Sequence, residues 1–156
     1  MNEWAEWDKE EYPLITRWMI RRDMPEILRI EQLNGQHWGE EDFIDNLRQR
    51  NCIGMVLESQ ENVVGFVVYS LFKTHLTILK LLVHPEWDQA RCFTSILNRM
   101  KEKVGKHSHR EHLDMVLFPD DFESMAMFSK NGFNCVREAD GVMVAKFVGE
   151  SSCPAE

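Results

Sequence analysis

The stretch "LLVHPEWDQARCFTSILNRM", Leu81 to Met100, sets the reading of the whole chain. An apolar, β-rich run ends at His84-Pro85, and after a short turn Ile96, Leu97 and Met100 recur at helical spacing. A strand, a tight turn and a helix follow from that change of period. Such a junction aims unpaired helix N–H groups at the turn, an arrangement suited to phosphate, yet this one contains no glycine.

Two further β-rich runs precede the junction, "CIGMVLES" and "VVGFVVYSLF", and with "LTILKLLVH" they make three consecutive strands. Gln60-Glu61-Asn62 and Lys73-Thr74-His75 are the short connections, so an antiparallel meander is predicted. Upstream, Leu14 to Ile20 reads as a strand. Asp23 stands as N-cap and Pro25 in the first turn of a helix carrying Ile27, Leu28, Ile30 and Leu33, which Asn34-Gly35 ends. "GEEDFIDNLRQR" spaces Phe43, Ile44 and Leu47 as a second helix, its acids at the N-terminal end. Downstream, the helix is predicted to run from Asp88 to Val104, with Gly105 closing it. "HLDMVLFP" is a strand, "DFESMAMFSKNGF" a helix closed by Gly132, and "FNCVRE" with "GVMVAKFV" a hairpin around Ala139-Asp140-Gly141. The order βααβββαβαββ predicts an α/β domain over residues 14–148, its mixed, mostly antiparallel sheet flanked by helices on both faces. An acidic arm, 1–13, precedes it, and 149–156 reads as a flexible tail.

Composition narrows the classes of function. The 156 residues suffice for one core that needs no disulfide or metal, and no apolar run approaches the roughly 18 residues of a membrane span. The acidic, aromatic N-terminus lacks the order of a secretory signal, so a cytoplasmic location is the default expectation. A net charge of −8 argues against nucleic acid and anionic membrane, and suits a cationic acceptor. Cys52, Cys92, Cys135 and Cys153 form no close pair and read as free thiols. His107, His109 and His112 in "KHSHREH" lack further ligands in sequence, so no metal is expected. Trp4, Trp7 and Trp18 offer apolar surface for a homodimer.

Several stretches together carry a likeness. "IRRDMPEILRIEQLN" is similar to the opening strand and helix of the GNAT superfamily of acetyl-CoA-dependent N-acetyltransferases. "QHWGEEDF" resembles the Trp-Ser-Glu-Glu-x-Phe of its RimI-like members, "ENVVGFVVYSL" a hairpin strand, "LLVHPEW" a Val-His-Pro-Glu-Tyr, and "AMFSKNGFNCVRE" an Ala-Leu-Tyr-x-Lys-x-Gly-Phe. Their order and separations cover Leu14 to Val148. The resemblance implies acetyl-CoA, or another acyl-CoA, as co-substrate. Its pantetheine would lie like an extra strand between the strand ending Leu81-Leu82-Val83 and the strand around Met115-Val116-Leu117. Backbone groups near Leu82 and Val83 would hold it. The acceptor would be a primary amine, on a small molecule, a peptide or a protein N-terminus.

Measured against that family, the key positions are altered. "DQARCF", Asp88 to Phe93, stands ungapped where the family has Arg/Gln-x-x-Gly-x-Gly/Ala, placing Arg91 and Phe93 at the glycines. A one-residue shift would instead align Gln89, Cys92 and Thr94, at the expense of the helix's apolar face. Amides of Gln89, Ala90, Arg91, Cys92 and Phe93 remain as candidate diphosphate donors, Arg91 adds charge, and Asp88 opposes an anion and caps the helix. The family's catalytic Glu and Tyr align with Val116 and Phe128, which transfer no proton and read as core. Phe128 and Lys130 fall on the family's cofactor-contacting helix. Candidate substitutes for the lost acid and base are Glu31, His84 and Tyr69, with Glu41, Ser124, Ser129, and Asp114 on the face opposite Val116, behind them. Two readings stay open: an acyl-CoA-dependent N-acyltransferase, and a catalytically inactive binding or regulatory module of the same fold.

Overall fold

A computed structural model of the chain describes residues 12–105 and 108–149. The strands are β1 (Ile15–Trp18), β2 (Cys52–Ser59), β3 (Asn62–Leu71), β4 (His75–Val83), β5 (His112–Leu117), β6 (Asn134–Arg137) and β7 (Met143–Val148). The helices are α1 (Met24–Leu33), α2 (Glu40–Leu47), α3 (Gln89–Lys101) and α4 (Phe122–Lys130). They form one seven-stranded sheet in the order β1-β2-β3-β4-β5-β7-β6, antiparallel except between β4 and β5.

The sheet is covered on both faces. One core packs Cys92, Ile96, Leu97 and Met100 of α3 and Phe128 of α4 against Leu76, Ile78, Leu81 and Val83. The other packs Ile27 and Ile30 of α1 and Phe43 of α2 against Val56, Phe66 and Val68. Two bulges rephase the strands. Leu57 pairs with Gly65 and Glu58 with Val63, leaving Val64 over, and Val68 pairs with Lys80 while Tyr69 pairs with Ile78, leaving Leu79 over. Because side chains alternate across a strand, the second bulge lets Ile78 and Leu81, three apart, enter the same core while Lys80 turns to the opposite face. Gly65 meets that rephased segment closely: a Cβ there would stand 3.1 Å from the Leu82 carbonyl oxygen and 3.3 Å from Cδ1 of Ile96.

Local corrections are small. The first strand is shorter than Leu14 to Ile20, giving way to a 3-10 turn at Arg21–Asp23, and α3 stops at Lys101, three residues before Val104. Asp23 occupies the N-cap position of α1 without capping it. Its carboxylate instead takes both terminal nitrogens of Arg17 at 2.8 Å and the Ile20 N–H at 2.8 Å. Arg17's hydrogen bond, against the cost of burial, holds the Asp23 carboxyl below its usual range. The acidic arm and the tail fall almost wholly outside the described residues, as do Trp4, Trp7, His107 and Cys153; Trp18 is exposed, with Lys103 Nζ 5.5 Å from its ring centroid.

The β2–β3 turn carries a testable strain. Gln60 and Glu61 have φ of 51° and 67°, the left-handed pair of a type I′ turn that Asn-Gly adopts readily. Replacing Gln60-Glu61 by Asn-Gly is expected to raise stability by about 1 kcal/mol in urea denaturation, and an unchanged midpoint would show that these residues bear no cost.

Candidate functional site

The β4–β5 ladder is short. His75 to Ile78 pair with His112 to Met115, and beyond them β4 runs on to Val83 while β5 follows β7. The bulge at Leu79 lies where the strands part. Among the described residues, divergence leaves the β5-facing edge of β4 beyond Ile78 without a strand partner and opens a cleft of about 260 Å³, lined by Asn34, Leu82, Val83, Gln89, Phe93 and Asp121 among others. Unpaired strand edge beside a cavity is a template for an extended ligand that hydrogen-bonds through main chain. Asn34, at the end of α1, already reaches into it: its Nδ2 donates to the Val83 carbonyl at 3.1 Å and to Ile30 O at 2.8 Å.

Gln89 starts α3 at the mouth of the cleft. Asp88 is the N-cap, its Oδ1 accepting the Arg91 N–H at 3.1 Å, so one of the helix's first amides is occupied by a side chain. Among the described residues, the Gln89 and Ala90 N–H groups have no such acceptor. Gln89 turns its side-chain amide back onto the turn, donating to His84 O at 2.7 Å and Trp87 O at 3.0 Å. Arg91 donates from Nη2 to Tyr12 O at 2.7 Å. Phe93 forms part of the cleft wall and meets Phe128 edge-on, their centroids 5.2 Å apart. Asp121 and Glu123 also line the cleft, and among the described residues that line it there is no Lys or Arg. Asp121 also caps α4, accepting the Ser124 N–H at 3.1 Å.

The structure moves most candidate side chains elsewhere. Glu31 is 1% exposed and its Oε1 lies 2.6 Å from Lys80 Nζ, while Oε2 accepts the Trp38 N–H at 3.0 Å. This carboxylate is a buried ion-pair partner rather than a cleft base. Tyr69 is buried and pairs with Ile78, on the ladder side of the bulge, and burial pushes its hydroxyl up to about 12, so it neither reaches the cleft nor gives up a proton readily. His84 is buried in the turn, its Nδ1 accepting the Glu86 N–H at 3.2 Å, and does not line the cleft. Cys92 points into the core, so any contact it made with a ligand would be through its backbone. Phe128 is 1% exposed between Phe93 and Phe133, and Lys130 is exposed in the last turn of α4, outside the cleft. Leu82, Val83, Gln89 and Phe93 are brought together.

Val116, expected as core, is 59% exposed. Strand alternation sends Leu113 and Leu117 into the core below α3, and His112, Asp114 and Val116 to the other face, which α1 and α2 leave open. Asp114 therefore shares a face with Val116, contrary to expectation. It accepts from Thr77 Oγ1 at 2.7 Å, and its Oδ2 lies 3.4 Å from His112 Nε2. His112 stacks on His75, centroids 4.8 Å apart, with Phe72 stacked on the far side of His75. Burial, with the nearby Lys146, holds the His112 imidazole below its usual range. This cluster was invisible in sequence because His75 and His112 are 37 residues apart and meet only through the β4–β5 register.

No protein-family model matches the chain, and no curated protein matches it by sequence. Solved structures match its fold throughout. The ribosomal-protein-S18-alanine N-acetyltransferase of Escherichia coli aligns at 14% identity with a TM-score of 0.70, covering 92% of this chain and 97% of that one. NAA60 of Arabidopsis thaliana, solved with a bisubstrate analogue, aligns at 12% identity and TM-score 0.72, covering 88% and 98%. Spermidine N-acetyltransferase of Vibrio cholerae, solved with CoA and spermine, aligns at 13% identity and TM-score 0.68, covering 86% and 95%. The chain thus has the fold of the GNAT acetyltransferases.

Proposed function

We propose that the protein transfers an acyl group, acetyl in the simplest case, from coenzyme A to a primary amine, such as the N-terminus of a peptide or protein. The observation that carries this reading is the early end of the β4–β5 ladder at Ile78 and Met115, beyond which Leu81, Leu82 and Val83 of β4 line a cleft. A pantetheine arm would add to that edge as a strand does, through peptide groups that no side-chain change removes. The neighbours solved with CoA and with a bisubstrate analogue share this fold. In the reaction, the amine nitrogen forms a bond to the thioester carbonyl carbon as the carbon–sulfur bond breaks. The amine gives up a proton to water and the departing thiolate takes one up. Positioning and main-chain polarisation of the carbonyl are the contributions of the cleft; it offers no His, Tyr or Lys side chain as acid or base among its lining residues.

A second reading, a module of this fold without catalysis, is favoured by one group of observations. Asp88 occupies the Arg91 amide, the Arg91 guanidinium is turned to Tyr12, and Asp121 and Glu123 face the cleft. Each of these weakens a site for diphosphate.

Calorimetric titration of the full chain with acetyl-CoA, followed by thiol release in the presence of an amine library, separates the two. Saturable heat and steady thiol release are expected. No heat and no thermal shift at millimolar acetyl-CoA would leave only the module. Asp88→Ala removes a negative charge and frees the Arg91 N–H, so it is expected to tighten acetyl-CoA binding roughly two- to fivefold while costing the fold about 1 kcal/mol. An affinity unchanged by this substitution would mean that the diphosphate lies away from α3.

A further inference from the structure

We propose that His75, His112 and Asp114 form a divalent-cation site, suited to zinc, on the open face of the β4–β5 ladder. The three residues each offer one ligand atom, and all three atoms lie within 4.8 Å of one another. Two imidazoles and one carboxylate are a donor set that zinc takes up, with a remaining position for water or a ligand. Register brings them together. His75 and His112 are directly paired across the parallel ladder, and Asp114 follows His112 by two residues, hence on the same face.

The separations are close to what an ion requires. Tetrahedral bonds of about 2.0–2.1 Å place neighbouring donors roughly 3.4 Å apart. His112 Nε2 and Asp114 Oδ2 are 3.4 Å apart already. The His75 ligand atom lies within 4.8 Å of the other two, its ring stacked nearly parallel on that of His112 at 3°. A supporting shell is present as well. Thr77 donates to Oδ1 of Asp114 at 2.7 Å, which fixes the carboxylate and leaves Oδ2 directed at His112. Thr74 Oγ1 lies 3.2 Å from Nδ1 of His75, which holds one ring nitrogen and leaves Nε2 as the donor. Such outer contacts orient ligating groups in metal sites. Phe72, stacked on His75, limits the ring's motion on the side away from His112.

Lys146 is paired with Asp114 across the β5–β7 ladder, and Arg110 donates from Nε to the Phe72 carbonyl at 2.8 Å, beside His75. Lys146 is exposed, so solvent screens its charge. The site stands on the sheet face opposite α3, with the diverging strands beginning one residue beyond it, so a bound ion with an open position would face whatever approaches from that side. The proposal does not depend on the transferase reading, since an ion held here is detected by binding alone.

The test is titration of the untagged full chain with Zn²⁺ by calorimetry, and with Co²⁺ by visible absorption. One Zn²⁺ per chain is expected, together with the intense Co²⁺ bands of four- or five-coordination. His112→Ala and Asp114→Asn should each weaken Zn²⁺ at least about 100-fold, and Thr77→Val about 10-fold, through loss of the contact that orients Asp114. All of these residues are only half-buried, and unchanged far-UV circular dichroism checks that the variants fold. His109→Ala, a neighbouring histidine outside the cluster, should leave affinity within twofold. Absence of binding at millimolar Zn²⁺ would overturn the proposal. So would binding that survives His112→Ala but is lost in His109→Ala, which would place the ion on the His109 segment instead.

Discussion

Replacing Lys80 by alanine is expected to cost the fold about 3–5 kcal/mol, because it leaves the Glu31 carboxylate buried without its cation. Both partners lie deep, Glu31 at 1% and Lys80 at 8% exposed, and their charged atoms are 2.6 Å apart. The Lys80 ammonium also stands 4.6 Å from the centroid of the Trp38 ring, and Trp38 donates its N–H to the same carboxylate. One ion pair thus ties β4 to α1 and to the segment leading into α2. Removing both charges together, as Glu31→Leu with Lys80→Met, is expected to recover most of the loss, since a buried pair is often replaceable by apolar groups of similar volume. Urea denaturation of the two single variants and the double variant gives the coupling directly. A Lys80→Ala penalty below about 1 kcal/mol would show that water reaches the pair.

Phe128→Ala is expected to be as damaging, about 3–5 kcal/mol, through the cavity left in the core beneath α4. Phe128 sits between Phe93 and Phe133, with ring centroids 5.2 and 5.0 Å away, and Phe133 continues the stack to Phe147 at 5.5 Å. The consequence is more than stability, because Phe93 is both a neighbour of Phe128 and a wall of the cleft. Loss of the supporting ring should therefore weaken acetyl-CoA binding together with the folding midpoint. Phe128→Tyr is a sharper probe. It restores the hydroxyl of the resembling family, yet in this chain the ring end is enclosed by core, so a loss of about 1–3 kcal/mol and no gain in thiol release are expected. A rate increase in that variant would place the ring in the cleft.

Much of the fold was legible because its signals are local. Alternation and helical spacing fixed every strand and helix to within a few residues, and Asp88 declared itself as an N-cap by its position alone. The misread residues share a cause: their roles depend on partners distant in sequence. Glu31 looked available until Lys80, 49 positions away, was seen to turn toward it, and it turns that way because of a bulge that a plain period-2 reading of "LTILKLLVH" passes over. Asp23 looked like a cap, but Arg17 competes for the same carboxylate. Tyr69 looked able to reach the cleft, yet its pairing with Ile78 sets it on the closed side of the bulge. His112 stood out in "KHSHREH", but its pairing with His75 did not, since parallel register cannot be read from spacing.

The four-residue ladder between His75–Ile78 and His112–Met115 has a mechanical meaning too. Among the described residues it is the only strand-to-strand seam joining the β1–β4 half of the sheet to the β5–β7 half. Amides of β5 that face this seam should exchange with deuterium sooner than those facing β7, whose ladder runs the full length from His112 to Leu117. Under tension applied across the sheet, the molecule should first come apart there, as two pieces each still internally paired.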